Sequence, residues 1–246
     1  MQEIEVSAGI IEYEDTGGSG PVVVLLHGLA MDGSVWRYVV RELRADHRCV
    51  VPTMPLGSHR RPMREDADLS PHGIAKLQAE FLAALDLRDV TLVGNDSGIF
   101  QLTAGCYPER IARLVLTPCE AFENFPPGLP GRTAEVGIKM PGGTFLLAQT
   151  LRVHALRRLP FTFGWMAKRP IPHEIFDVWL RPLQTQRGSA AISASSCIPS
   201  TTGTCSLRLS ASAALTVRRS WSGRRKTASC LPSTGGGLSS CSHRGG

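Results

Sequence analysis

Residues 188–246 contain neither aspartate nor glutamate, although the chain of 246 residues carries 21 such acids. All 21 lie in residues 1–187 beside 20 of the 27 lysines and arginines, a balance of 20 − 21 = −1. The formal charge of +6 therefore belongs to a basic tail and not to a basic face on a folded domain, and no nucleic-acid partner is expected. No apolar run approaches the ~20 residues that cross a bilayer. The opening Met1-Gln2-Glu3-Ile4-Glu5 lacks the basic and apolar regions of a secretion signal. The chain thus reads as cytoplasmic, with no membrane partner. There is no C-x-x-C pair and no His-rich spacing of the kind that holds zinc, so neither a metal nor a cofactor is expected. Seven cysteines are an odd number, and Cys49, Cys106 and Cys119, each in apolar surroundings, read as buried thiols rather than bridges. Tyrosine is scarce, with Tyr13, Tyr38 and Tyr107 all in the first half of the chain. No signal of oligomeric state is present.

What the sequence does carry is an alternation of strand and helix signals. Residues 2–14 alternate apolar with polar positions and read as edge strands, closed by the turn Thr16-Gly17-Gly18-Ser19-Gly20. Val22 to Leu26 is apolar throughout, as in a parallel strand covered on both faces. Residues 34–44 place Val35, Trp36, Val39, Val40 and Leu43 at helical spacing, and Arg48 to Thr53 forms another strand. Ser70 followed by Pro71 opens a helix to about Leu85. Strands at Val90 to Val93 and Arg113 to Thr117 flank a helix from Gly98 to Tyr107. This order predicts an α/β class fold, a doubly wound, mostly parallel sheet. Beyond Phe125 come the loop Pro126-Pro127-Gly128-Leu129-Pro130 and irregular helices over 131–183, which read as an inserted lid or as helices packed beneath the sheet.

One segment carries chemistry. Gly94-Asn95-Asp96-Ser97-Gly98 directly follows the buried-type strand Val90 to Val93. Glycines on both sides of Asp96 suit a sharp strand-to-helix turn that lifts the central side chain above the end of the sheet. The plainer alternative is that Asp96 caps the following helix. Ser97 is the rival nucleophile, one place late in the G-x-x-x-G frame.

With Leu25-Leu26-His27-Gly28, Leu92-Val93-Gly94-Asn95-Asp96-Ser97-Gly98 and Leu114-Val115-Leu116-Thr117, residues 5–187 resemble the α/β-hydrolase superfamily. The likeness is closest to its epoxide hydrolase and haloalkane dehalogenase branch, in which the nucleophile of this turn is aspartate. The resemblance implies that Asp96 attacks carbon and forms an alkyl ester. It implies an oxyanion hole of the Leu29 and Ser97 backbone amides. Gly94 and Gly98 are then the glycines of the nucleophile elbow, and His27-Gly28 the HG motif, with His27 structural. Glu120, after the sixth strand, matches the orienting acid, or is a solvated loop residue. The resemblance also calls for a water-activating histidine after the last strand. His47, His59, His72, His154, His173 and His243 all stand elsewhere, so no catalytic histidine is found. Ser97 and Leu29 stand where dehalogenases hold the halide with tryptophan and commonly asparagine, and the lid lacks the tyrosines of epoxide hydrolases. Lid rings at Phe161, Phe163, Trp165, Phe176 and Trp179 imply a small hydrophobic substrate, or else are core packing.

Three segments are therefore expected: an α/β-hydrolase core over 1–121, a helical lid over 122–187, and an anomalous, disordered tail over 188–246. The tail holds 15 serines and little periodicity. Plausible GC-rich codons for it, read two nucleotides out of frame, encode an apolar strand, an acidic turn and a helix. A frameshift near Arg187 follows, with the last strands, an acid and the histidine lost. The expected function is hydrolysis of a small hydrophobic substrate through a covalent aspartyl ester, impaired in this form. The alternatives are an esterase-like hydrolase with different chemistry and a non-catalytic binder of a small ligand.

Overall fold

A computed structural model of the chain describes residues 1–119, 139–159, 162–163 and 169–185, with positions 132, 136, 137 and 167. Strands β1 (Gln2–Val6) and β2 (Gly9–Asp15) form an antiparallel hairpin, and β2 continues antiparallel to β4 (Arg48–Thr53). Strand β3 (Val22–Leu26) has parallel neighbours on both sides, β4 and β5 (Val90–Asp96). That position explains why β3 is apolar at every residue. Strand β6 (Ile111–Cys119) pairs parallel with β5, giving the order β1-β2-β4-β3-β5-β6. The doubly wound, mostly parallel sheet expected from the sequence is the one observed.

Alternate residues of β3 feed two cores. Val24 and Leu26 join Val50 and Leu92 under helices α2 (Pro71–Ala84) and α3 (Ile99–Cys106), whose Ile74, Phe81 and Phe100 cover that face. Val23 and Leu25 join Cys49, Val51 and Val93 against Trp36 and helix α1 (Arg37–Leu43). Helix α2 starts as its sequence predicts: Ser70 Oγ accepts from the Gly73 N–H at 3.1 Å and Pro71 occupies the first turn. The single helix expected over 34–44 is divided. Asp32 accepts from the Ser34 N–H at 2.9 Å and winds Gly33–Trp36 as a 3-10 turn before α1 begins.

From β3 the chain crosses to β4 on one side, and from β5 it crosses to β6 on the other. The carboxyl ends of β3 and β5 therefore border the crevice where doubly wound sheets bind ligands. Over it lie α4 (Gly143–Thr150), a 3-10 turn at His154–Arg158, and α5 (His173–Leu183). Phe176, Leu180 and Leu183 of α5 pack on Ala148 and Leu151, and this small core rests on Leu29 and Ala30. The α5 spacing Phe176, Trp179, Leu180, Leu183 is one apolar helical stripe.

Several expectations fall elsewhere. Glu120, Phe161, Trp165 and the tail 188–246 lie outside the described residues. Cys49 is a buried free thiol, but Cys106 is disulfide-bonded rather than free. Strand β5 runs three residues beyond Val93 because Asp96 still pairs with Cys119 across an irregularity at Gly94/Asp96. Among the described residues β6 has one strand neighbour, β5. Also among them, no helix is long and apolar enough to cross a membrane, and no three His, Cys, Asp or Glu side chains cluster as metal ligands.

Candidate active site

Asp96 ends β5 with a φ of +73°, in the left-handed region that a side chain with a Cβ seldom adopts. Such a conformation persists only where its surroundings hold it, and here three features do. A Cβ on Gly94 would overlap the ring of Phe100, so glycine at 94 lets α3 fold back against β5. The Thr117 hydroxyl lies 3.0 Å from the Gly94 carbonyl and 2.8 Å from Asn95 Oδ1, fastening the turn to β6 through one of them. Ser97, buried, accepts the Ile99 N–H on its Oγ at 3.2 Å. Asp96 is thus not the helix cap: the N-cap of α3 is Gly98, and no side chain caps it. Gly98, at the head of α3, has ordinary right-handed helical angles.

The loop after β3 closes on the same carboxylate. Leu29 donates its backbone N–H to Asp96. Gly28 passes so near that a Cβ there would overlap the Asp96 side chain. Burial pushes the Asp96 carboxyl above its ordinary value, and the Leu29 amide pulls in the opposite direction. His27 supports this loop. Its Nε2 accepts from the Met54 N–H at 2.8 Å, which leaves the proton on Nδ1 to donate to the Gly28 carbonyl, also at 2.8 Å. Both ring nitrogens are used, the ring is fully buried, and burial holds its pKa below the usual histidine value. His27 is a neutral brace and not a proton carrier.

The lid is fixed to this loop by one side chain above all. Trp179 Nε1 lies 2.9 Å from Asp32 Oδ1 and 2.8 Å from Ser34 Oγ, a shared donor. The Trp179 carbonyl accepts from Ser58 Oγ at 2.8 Å. Within the lid, buried Arg157 pairs with Asp177 at 2.6 Å and lies over the Phe176 ring. These links, together with a partnerless His59, escaped the sequence reading. The rings of His154 and His173 stack at 4.1 Å in the lid, and no histidine bonds to Asp96 among the described residues. The site therefore brings together Asp96, Gly28, Leu29 and His27, with Gly94, Ser97 and Gly98 shaping the turn. A carboxylate short of water and held by few hydrogen bonds has the chemistry to attack an electrophilic carbon.

A family model described as "Alpha/beta hydrolase family" matches residues 23–229. A haloalkane dehalogenase of Mesorhizobium japonicum is 28% identical over 191 residues, 74% of this chain and 59% of that protein. A pimeloyl-[acyl-carrier protein] methyl ester esterase of Aeromonas salmonicida is 29% identical over 168 residues, 63% of this chain and 64% of its own length. The chain thus spans about three fifths of the length of these relatives. A solved Pseudomonas aeruginosa structure, provisionally assigned as an epoxide hydrolase, aligns with a TM-score of 0.63 at 18% identity. It covers 79% of this chain and 67% of that one, a likeness of fold.

Proposed function

The chain belongs to the alpha/beta hydrolase family, and on that premise we propose that Asp96 attacks carbon in a small apolar substrate and forms an aspartyl ester. One carboxylate oxygen makes the new C–O bond while the leaving group departs with its electron pair. Water would then attack the ester carbonyl, and the oxygen charge so formed meets the N–H groups of Leu29 and Ser97. The proton of that water needs a base, ordinarily a histidine steadied by an acid. Glu120 is our assignment for the acid, and no histidine among the described residues fills the other role. The ester should therefore form and then persist, which is the sense in which this chain is impaired.

In this reading residues 1–121 are the catalytic core and 122–187 the lid, while the acid-free tail, although the family match extends into it as far as residue 229, is an out-of-frame product without a part in the chemistry. Phe163 and Phe176, packed with Leu29 and Ala30, favour an apolar substrate. The observation that carries the proposal is the left-handed φ of Asp96 with its carboxylate received by the Leu29 N–H.

An esterase using Ser97 is the second reading, prompted by the Aeromonas relative's name. Against it, the Ser97 hydroxyl already receives the Ile99 N–H. Incubation with a panel of haloalkanes, epoxides and alkyl esters decides between them. Asp96→Asn should abolish covalent reaction while Ser97→Ala leaves it largely intact, and the opposite pattern would overturn the proposal.

A further inference from the structure

Ala30, next in the chain to the residue whose amide meets Asp96, has a φ of +58°, a left-handed conformation that its Cβ resists. Such a residue stays there only under restraint, and two restraints act on it. The Ala30 N–H donates to the Leu56 carbonyl at 2.9 Å. Two residues further on, the buried Asp32 fixes the end of the loop, its Oδ1 accepting from the Ser34 N–H and lying 2.9 Å from Trp179 Nε1. Leu56 belongs to the turn Met54–Ser58 after β4. Its Met54 N–H donates to His27, and its buried Ser58 hydroxyl donates to the Trp179 carbonyl at 2.8 Å.

Both restraints therefore lead to one residue of α5. Trp179 grips the loop through its indole N–H and the neighbouring turn through its backbone carbonyl, while Leu29 and Ala30 pack against the small lid core. Without these holds Ala30 relaxes toward ordinary angles, and rotation about its N–Cα bond swings the Leu29 amide relative to the rest of the loop. We propose that Trp179 is a positioning residue: by holding Asp32 and the Met54–Ser58 turn it keeps Ala30 left-handed and the Leu29 N–H on Asp96, so that this amide is in place only while α5 is docked. This rests on the proposed reaction at Asp96, in which the Leu29 amide meets the charged oxygen, and makes that reaction conditional on a closed lid.

The test follows the Leu29 amide in the full chain labelled with nitrogen-15 at leucine, its resonance assigned by its loss in Leu29→Ile. Trp179→Phe should quicken exchange of that amide with water about tenfold, the loss of roughly one hydrogen bond. Ser58→Ala, which cuts the other link and leaves the lid rings in place, should quicken it in the same direction. Glycine takes a left-handed φ without the steric penalty that alanine meets. Ala30→Gly added to Trp179→Phe should therefore restore most of the protection, although it returns no contact to the lid. That rescue separates strain relayed through Ala30 from a general loosening of the fold. A Leu29 amide unmoved in either single variant, or left unprotected after Ala30→Gly is added, would overturn the proposal. The readout needs no substrate, so failure to trap an ester on Asp96 with this pattern intact would reject the nucleophile alone.

Discussion

The backbone N–H of Leu29 donates to the carboxylate of Asp96, and the α-carbon of Gly28 rests against the same side chain. Two loops from neighbouring strands, β3 and β5, thereby meet at one carboxylate. Gly28→Ala would place a methyl group into Asp96. The substitution is expected to cost about 1–3 kcal/mol of stability and to suppress covalent reaction by a much larger factor than that loss of folded protein explains. Thermal unfolding and adduct yield, measured on the same sample, check both.

Asp96 is strained and desolvated, so removing its charge should stabilise the fold. Its folded pKa is raised above the unfolded value, near ~3.9. The folded state therefore holds its proton more tightly, and stability falls as pH rises through that interval. Above it the penalty is complete. Asp96→Asn, with an amide that tolerates the left-handed conformation, should melt higher than the natural sequence at pH 7. The gain should shrink as pH falls toward ~4 and be gone below it. A lower melting temperature at pH 7 would contradict the desolvation of this carboxylate.

His59 predicts a slope of the opposite sign. Its pKa falls from 6.5 to about 4 on folding, so the unfolded chain binds a proton that the folded chain refuses. Stability should drop as pH falls through this window, by about 1.4 kcal/mol for each pH unit crossed, roughly 3 kcal/mol in all. Denaturant unfolding at pH 7.5 and 4.5 should show a smaller difference in His59→Phe. An equal difference would place the titrating group elsewhere, with His27 next, since burial lowers its pKa too.

Trp179→Phe keeps the ring in the lid core and removes the N–H shared by Asp32 and Ser34. The expected cost is about 1–3 kcal/mol. Hydrogen exchange should quicken across α5 while the amides of β3 and β5 stay protected. Uniform loss of protection would mean that lid and sheet open together.

How much of this was legible in the sequence depended on range. Val22–Leu26, the Ser70-Pro71 helix start, and the stripe Phe176, Trp179, Leu180, Leu183 are local patterns, and each formed the element it implied. The glycines around Asp96 marked the turn, although the strand reaches Asp96 itself because pairing with Cys119 resumes after an irregularity. The Trp179–Asp32 bond joins positions 147 residues apart, and nothing local to either signals it. Arg157 looked like one more charge in an arginine-rich stretch. It is only 3% exposed because Asp177 and the Phe176 ring receive its guanidinium. The free imidazole of His59 was equally hidden, since burial of a ring in a loop has no periodic signature.

The central claim is that the Asp96 carboxylate is the nucleophile and that its ester outlives the reaction. Intact mass measurement after incubation with an excess of an alkyl halide or epoxide, followed by peptide mapping, addresses it most directly. The account predicts a single added alkyl group per chain, on Asp96, accumulating without sustained product release and absent from Asp96→Asn. An adduct on Ser97, or continued turnover by Asp96→Asn, would contradict it.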